Sequence, residues 1–253
     1  MGTLFVVATP IGNLGDISNR ALQTLREVDL IACEDTRQTI KLLNHFGIQK
    51  SMTSYHEFNE EQKAEELTNK LAGETTIALV SDAGMPTIAD PGYRLVRQCR
   101  KRGIPVIAIP GANAGITALA ISGLPSDEFV FLGFLPSKKN ARHTKLAEIA
   151  NVTCTLVFYE APHRVEAMLE DMQEVLGDRE VCVAREITKI HEESLFGKLS
   201  EIRPLIKAVG EFVIVASGAA EVHETLHPPA SRDEVLKKLG MTRNQLYELF
   251  FKK

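Results

Sequence analysis

The sequence predicts an α/β protein of two α/β domains, a mostly parallel sheet followed by a mixed one, with a ligand cleft between them. Three observations carry this expectation. Short apolar runs alternate with stretches whose apolar residues recur at helical spacing, the pattern of parallel strands covered by helices. Several of those runs end in loops dense in Gly, Pro and Asp. Late in the chain, Leu195-Phe196-Gly197-Lys198-Leu199 reads as an added antiparallel strand, which makes the second sheet mixed. The expected divisions are residues 1–116, residues 117–224, and a linker with a short helical tail over 225–253.

Leu4–Ala8 is a short apolar strand that runs into the turn Thr9-Pro10-Ile11-Gly12-Asn13-Leu14-Gly15-Asp16. Ser18 or Asp16 caps the next helix, whose apolar residues Ala21, Leu22, Leu25 and Val28 share one face. Leu30–Cys33 is a strand. Thr39–Phe46 is a helix stopped by Gly47, and Glu57–Leu71 a charged amphipathic helix stopped by Gly73. Thr76–Val80 is a buried strand, followed by a helix over Gly92–Arg102, a strand over Val106–Ile109 and a small-residue helix over Ala114–Ser122. The second unit has strands at Phe129–Phe134, Thr153–Tyr159, Glu180–Ala184 and Glu211–Ala216. Its helices cover Lys138–Ile149 and Pro162–Leu176. His227-Pro228-Pro229-Ala230 reads as a linker, and Ser231–Leu239 and Thr242–Phe250 as two short helices. That pair either docks as a tail or contacts RNA.

Composition narrows the class. With 253 residues, 44% hydrophobic and 25% charged, the chain is of ordinary globular make-up. No apolar run nears the roughly 20 residues that span a bilayer, and the N-terminus lacks the basic start of a signal peptide. Cys33, Cys99, Cys154 and Cys182 are far apart, with no metal-ligand spacing, so a reducing cytoplasm is the expected location and no metal is expected. The net charge of −4 argues against wholesale coating of nucleic acid. Three basic clusters nonetheless stand out: Arg94 to Arg102, Lys138 to Lys145, and Lys237 to Lys253.

The densest chemical signal is Ser81-Asp82-Ala83-Gly84-Met85-Pro86-Thr87-Ile88-Ala89-Asp90-Pro91-Gly92. Stiff prolines and permissive glycines at a strand's end fix an unusual path that brings main-chain atoms to a ligand. Phosphate-loop, dinucleotide, nucleophile-elbow and zinc-helix motifs are all missing, which leaves little support for a hydrolase, dehydrogenase or metalloprotease. Other polar motifs also end strands: Glu34-Asp35-Thr36-Arg37, Pro110-Gly111-Ala112-Asn113-Ala114, Tyr159-Glu160-Ala161-Pro162-His163-Arg164 and Arg185-Glu186-Ile187-Thr188-Lys189. Loops at the carboxyl ends of parallel strands converge on one crevice.

Taken in order, these motifs, together with Val-Ala-Thr-Pro-Ile-Gly-Asn-Leu-Gly-Asp at the first strand, resemble the ribosomal RNA small-subunit methyltransferase I family. This is the ribose 2′-O-methylating branch of the tetrapyrrole methylase-like superfamily, and the match runs from about residue 3 to 220. The resemblance implies S-adenosylmethionine as methyl donor, a cleft between two α/β domains, a homodimer, and a cytidine of small-subunit (16S) ribosomal RNA as target. The RNA is expected within an assembled subunit, with neither DNA nor membrane as partner. Carried over by motif, the cofactor meets Pro10, Asp82, Ala83, Gly84, Met85, Ala112, Asn113 and Ala114. Phe158, Tyr159, Ala184 and the backbone near Val213 complete the pocket. Met85 departs from a frequent threonine, and the tail after Ala220 is short for the family.

Methyl transfer to a 2′-hydroxyl needs alignment and removal of its proton. Glu186 or Asp35 is the candidate acceptor. Lys189, Arg185 or Arg37 is the candidate holder of an adjacent phosphate or of developing alkoxide. Each is also a candidate for a purely structural ion pair. Two other functions compete: methylation of a corrinoid or porphyrinoid, and RNA binding without catalysis during ribosome assembly. The first sits badly with Thr9-Pro10-Ile11-Gly12-Asn13 in place of a glycine-rich first loop, the second with the intact Asp82–Gly92 loop.

Overall fold

Among the described residues, ten strands fall into two five-stranded sheets, and helices cover both faces of the first. The computed structural model describes residues 1–220 and Thr242. Met1–Ala219 form one unit and Ala220–Lys253 a second. Apart from Thr242, the linker and tail helices expected from the sequence lie outside the described residues.

The first sheet consists of β1 (Leu4–Val7), β2 (Leu30–Cys33), β3 (Ser51–Ser54), β4 (Ile77–Val80) and β5 (Val106–Ile109), ordered β3-β2-β4-β1-β5 and parallel throughout. Side chains alternate along each strand, so each face builds its own core. Leu4, Val6, Ile77 and Leu79 pack against Leu67, Leu71, Leu95 and Cys99 of α3 (Glu60–Ala72) and α4 (Tyr93–Lys101). Val7, Ile31, Ala78 and Val80 pack against Ala21, Leu25 and Leu43 of α1 (Asn19–Glu27) and α2 (Thr36–His45). Of the two caps considered for α1, Ser18 is the one used, its hydroxyl accepting the Ala21 N–H at 3.1 Å. Helix α2 starts a turn before the predicted Thr39 because the Asp35 carboxylate accepts the Arg37 N–H at 2.8 Å and caps it. Strand β3 gave no sequence signal: a polar Ser-Met-Thr-Ser edge strand pairs with β2 alone and lacks the apolar run of its neighbours.

The second sheet contains β6 (Phe129–Phe134), β7 (Thr155–Glu160), β8 (Glu180–Arg185), β9 (Glu193–Lys198) and β10 (Phe212–Ala216), in the order β6-β7-β10-β8-β9. Only β6 and β7 are parallel; the other pairs are antiparallel, so the sheet is mixed as expected. One face carries Leu156, Phe158, Val181, Val183 and Ile214 against α6 (Lys139–Glu148), α7 (Pro162–Leu176) and α8 (Leu199–Ile202). The other carries Val157, Cys182, Ala184, Val213 and Val215 against Ala118 and Leu119 of α5 (Ala114–Ile121), together with Ile11 from the first β-turn. Helix α5 therefore packs on the second sheet from its start, ahead of residue 117. Burying one such Leu or Val stabilises the fold by about 1.5–3 kcal/mol. All four cysteines are free thiols. Among the described residues no helix is long and apolar enough to cross a membrane.

Candidate functional site

The strand-end loops do converge. A cleft of about 450 Å³ opens between the two sheets, lined from the first by Ile11, Glu34, Asp82–Met85 and Ile88–Asp90. Asn113 and Ala114 at the head of α5 join them, and Phe134, Tyr159–Pro162, Ile187, Lys189 and Glu211–Val213 line it from the second.

The loops are welded to one another. Thr9 and Gly84 exchange both backbone hydrogen bonds, 2.9 Å from the Thr9 N–H and 3.1 Å from the Gly84 N–H, so the loop after β4 is stitched to the one after β1. Gly84 has φ +82°, and a Cβ there would stand 3.3 Å from Ile11 Cγ2, so only glycine fits without strain. The Asp35 N–H donates to Asp82 at 3.1 Å, which joins β2's end to β4's. Across the cleft the Gly115 N–H donates to the Tyr159 hydroxyl at 3.0 Å, and Phe131 and Phe134 pack edge-on against the Tyr159 ring. The non-glycine residues Thr87, Ala89, Glu186 and Thr188 take positive φ (76°, 65°, 53° and 69°). These are the described non-glycine residues with positive φ, and all lie in the two loops flanking the cleft. Such conformations persist only where the surroundings over-determine them, and they cluster at functional sites.

The two walls differ in charge. Burial, reinforced by Asp82, pushes the Glu34 carboxyl up, and burial also raises that of Asp82. Burial, then the charges of Glu34 and Asp82, lift Asp90 to about 6 against the opposing Ser81 hydroxyl. On the other wall, Lys189 Nζ sits 2.8 Å from Glu186 Oε1 and 2.9 Å from Glu211 Oε2. The Lys189 hydrogen bond, against a smaller burial penalty, holds Glu186 below the usual carboxylate range. The Lys189 stem crosses Gly12, where a Cβ would collide with its Cγ.

This arrangement has known relatives. The model of the family "Tetrapyrrole (Corrin/Porphyrin) Methylases" matches residues 3–203. The chain belongs to this family. "Ribosomal RNA small subunit methyltransferase I" of Halalkalibacterium halodurans is 52% identical over 223 residues, covering 87% of this chain and 77% of the relative. The protein of that name from Vibrio cholerae is 50% identical over 249 residues, covering 96% and 85%. Among solved structures, uroporphyrin-III C-methyl transferase from Thermus thermophilus complexed with S-adenyl homocysteine aligns with TM-score 0.57 at 18% identity, over 85% of this chain and 97% of that one. Diphthine synthase aligns at 0.65 and 14% identity, over 85% and 90%. These two likenesses speak for the fold alone.

Within this methylase fold the sequence candidates separate. Asp82, Ala83, Gly84, Met85, Asn113, Ala114, Tyr159 and Val213 line the cleft. Asn113 also caps α5, its Oδ1 accepting the Ile116 N–H at 3.0 Å. Pro10, Ala112, Phe158 and Ala184 are not lining residues. Phe158 is fully buried on the far face of the second sheet, in register parity opposite to Tyr159. Ala184 is buried under α5, and Pro10 is buried in the first turn.

Of the catalytic candidates only Lys189 lines the cleft, with Glu186 bound to it. Asp35 is gripped by Arg37, whose Nη2 lies 2.7 Å from its Oδ2, and that hydrogen bond lowers the carboxyl to about 2. Arg37 itself is 87% exposed. Arg185 is turned to the sheet edge, 3.1 Å from Glu193 on the neighbouring strand. The second basic cluster is partly structural, since Arg142 is buried in an ion pair with Asp171. Glu34, Asp90, Glu160 and Glu211 line the cleft without having been singled out. The first three fall inside or beside motifs already noted, whereas Glu211 carried no signal beyond its place at a strand start.

Proposed function

We propose that this chain is an S-adenosylmethionine-dependent methyltransferase that methylates the ribose 2′-oxygen of a cytidine in small-subunit ribosomal RNA, acting as a homodimer on an assembled subunit. The observation that carries this is identity of 50–52% over most of the chain with relatives named ribosomal RNA small subunit methyltransferase I. The cleft fits the cofactor. Its volume of about 450 Å³ falls within the usual range for small-molecule sites. The small residues Ala83 and Gly84 let a ligand approach the loop closely, while Met85, Ile11 and Tyr159 supply apolar cover. Glu34, Asp82 and Asp90 give that wall a negative field suited to a cation.

When bound, S-adenosylmethionine supplies a methyl group on a positively charged sulfur. The loop from Asp82 to Met85 and the head of α5 would hold it, with Tyr159 and Val213 closing the opposite side. Lys189 stands at the rim with its charge shared between Glu186 and the largely exposed Glu211. It serves to hold an RNA phosphate, which takes Glu211's place at the ammonium. Glu186 then acts as the anchor that orients Lys189.

The test is incubation of the purified protein with labelled S-adenosylmethionine and small ribosomal subunits lacking their native methylation, followed by ribose-specific digestion. Label on the ribose of one cytidine is the expected result. Cofactor binding without label on RNA points to a small-molecule acceptor, and RNA binding without cofactor binding to an assembly factor.

A further inference from the structure

We infer that Asp90 accepts the proton of the hydroxyl group that is methylated. This deepens the methyltransferase reading and rests on it. The argument starts from which cleft carboxylates are free to act as a base. Glu211 is paired with Lys189, and Glu160 accepts the Ala161 N–H at 2.8 Å and lies 3.2 Å from Arg164. Asp82 accepts the Asp35 N–H at 3.1 Å, and Glu34 stands close to the Asp82 backbone, which opposes the rise that burial gives its carboxyl. Asp35 and Glu186, the candidates from sequence, are held by Arg37 and Lys189. Cations and N–H groups favour a carboxylate's charged form and so oppose the burial that raises Glu34, Asp82 and Glu160, which makes each a weaker base than an unpaired carboxylate in the same cleft.

Asp90 is different. Among the described residues no lysine or arginine pairs with it, and the nearby Ser81 hydroxyl, which donates to the Ala83 and Gly84 carbonyls at 3.3 and 3.4 Å, only partly offsets its burial. It lines the cleft opposite the second sheet. Thr87 at φ 76° and Ala89 at φ 65° precede it, so its loop is held in a path that the sequence alone disfavours. That rigidity fixes where the carboxyl stands, which is what a proton acceptor needs. The charged and titratable groups facing it are Glu34 at the end of β2, Asp82 at the end of β4 and the Tyr159 phenol on β7. Asp35 and Arg37 of α2 stand behind Asp82. With the two carboxylates nearest, the proton-bound form of Asp90 is favoured, in keeping with its value of about 6.

The step balances as follows. The ribose O–H bond breaks and its proton passes to an Asp90 carboxylate oxygen. The electron pair left on the ribose oxygen forms the new bond to the methyl carbon. The carbon–sulfur bond breaks with its pair returning to sulfur, so the positive charge on sulfur and the negative charge on Asp90 are neutralised together. Asp90 must be ionised to act, so transfer rises with pH through its titration.

Three measurements on the wild-type full chain and Asp90→Asn decide it. Carbon-13 titration of side-chain carboxyls in ligand-free protein, assigned by the signal lost in D90N, is expected to give a midpoint near 6; an ordinary value of about 3.9 contradicts the inference. S-adenosylhomocysteine affinity, by calorimetry at pH 8, is expected to be retained in D90N. Its loss would make Asp90 a cofactor ligand and overturn the assignment. Single-turnover methyl transfer by D90N is expected to fall by about 10²–10⁴-fold, with the acid limb of the wild-type profile gone. A D90N protein that transfers at the wild-type rate, or keeps that limb, sinks the inference alone. A wild-type protein that transfers no methyl group to RNA sinks the methyltransferase reading, and the inference with it.

Discussion

The two walls of the cleft solve opposite electrostatic problems. On the first sheet, Glu34, Asp82 and Asp90 crowd together, none of them ion-paired with a lysine or arginine among the described residues, and burial raises all three. On the second, Glu186 and Glu211 share Lys189 and the carboxyl of Glu186 is driven down. Crowded carboxylates attract a cation and accept protons, whereas a carboxylate tied to a lysine orients that lysine. The lesson is that charge and motif do not tell a base from an anchor; the partner does.

The largest effects come from removing what shapes the walls. Phe158→Ala should destabilise the protein by about 3–5 kcal/mol, as measured by urea unfolding, because the ring is fully buried on the helix side of the second sheet. Cofactor affinity lost with no change in unfolding would instead place that ring at the cleft. Gly84→Val comes next. A branched residue at φ +82° against Ile11 should cost about 2 kcal/mol or more, and it should abolish S-adenosylhomocysteine binding in calorimetry. Retained binding would mean that the stitched loop is not the cofactor wall.

Asp90→Asn sharpens the contrast through stability alone. Asp90's folded value of about 6 exceeds an unfolded value of about 3.9. Its raised value favours folding below the unfolded pKa, and that advantage is lost as pH rises through about 6. Neutral Asn removes the repulsion, so D90N should be the more stable protein at pH 8, by about 1–2 kcal/mol after allowance for solvent screening. The gain should vanish below pH 4 in a thermal-melt series. A D90N chain less stable than wild type at pH 8 would show that the carboxylate is satisfied where it stands.

Glu186 has the opposite sign. Its lowered value gives stability that is present above the unfolded carboxylate pKa and is lost as pH falls through the folded value. Arg37→Ala should do least. Arg37 is 87% exposed, so the melting temperature at pH 7 should not move measurably. A clear drop would give the Asp35 pair a structural weight that its exposure does not suggest.

Much of the fold was legible because apolar runs and caps are local signals. Phe129–Phe134 and Pro162–Leu176 fall where periodicity and the N-terminal proline put them. Strand β3 was not legible because its polar residues take their pairing from β2 rather than from their own pattern. At the site, Gly84 and Asp82 were readable from loop chemistry. Phe158, carried over by motif, packs on the opposite face of β7 from Tyr159 because successive side chains alternate along a strand, which the motif does not reveal. Asp35 and Glu186 were readable as carboxylates, but their binding to Arg37 and Lys189 depends on side-chain geometry that spacing does not fix. Asp90 gains its character from Glu34 and Asp82, which come from two other strand ends.

The most direct measurement compares Asp90→Asn and Glu186→Gln in single-turnover methyl transfer at pH 8, each at saturating cofactor and over a range of RNA substrate. The account predicts that D90N loses the maximal rate with substrate affinity intact, while E186Q mainly weakens substrate binding and keeps most of the maximal rate. The reverse pattern, with E186Q losing the rate and D90N the affinity, would contradict it and return the proton to the second wall.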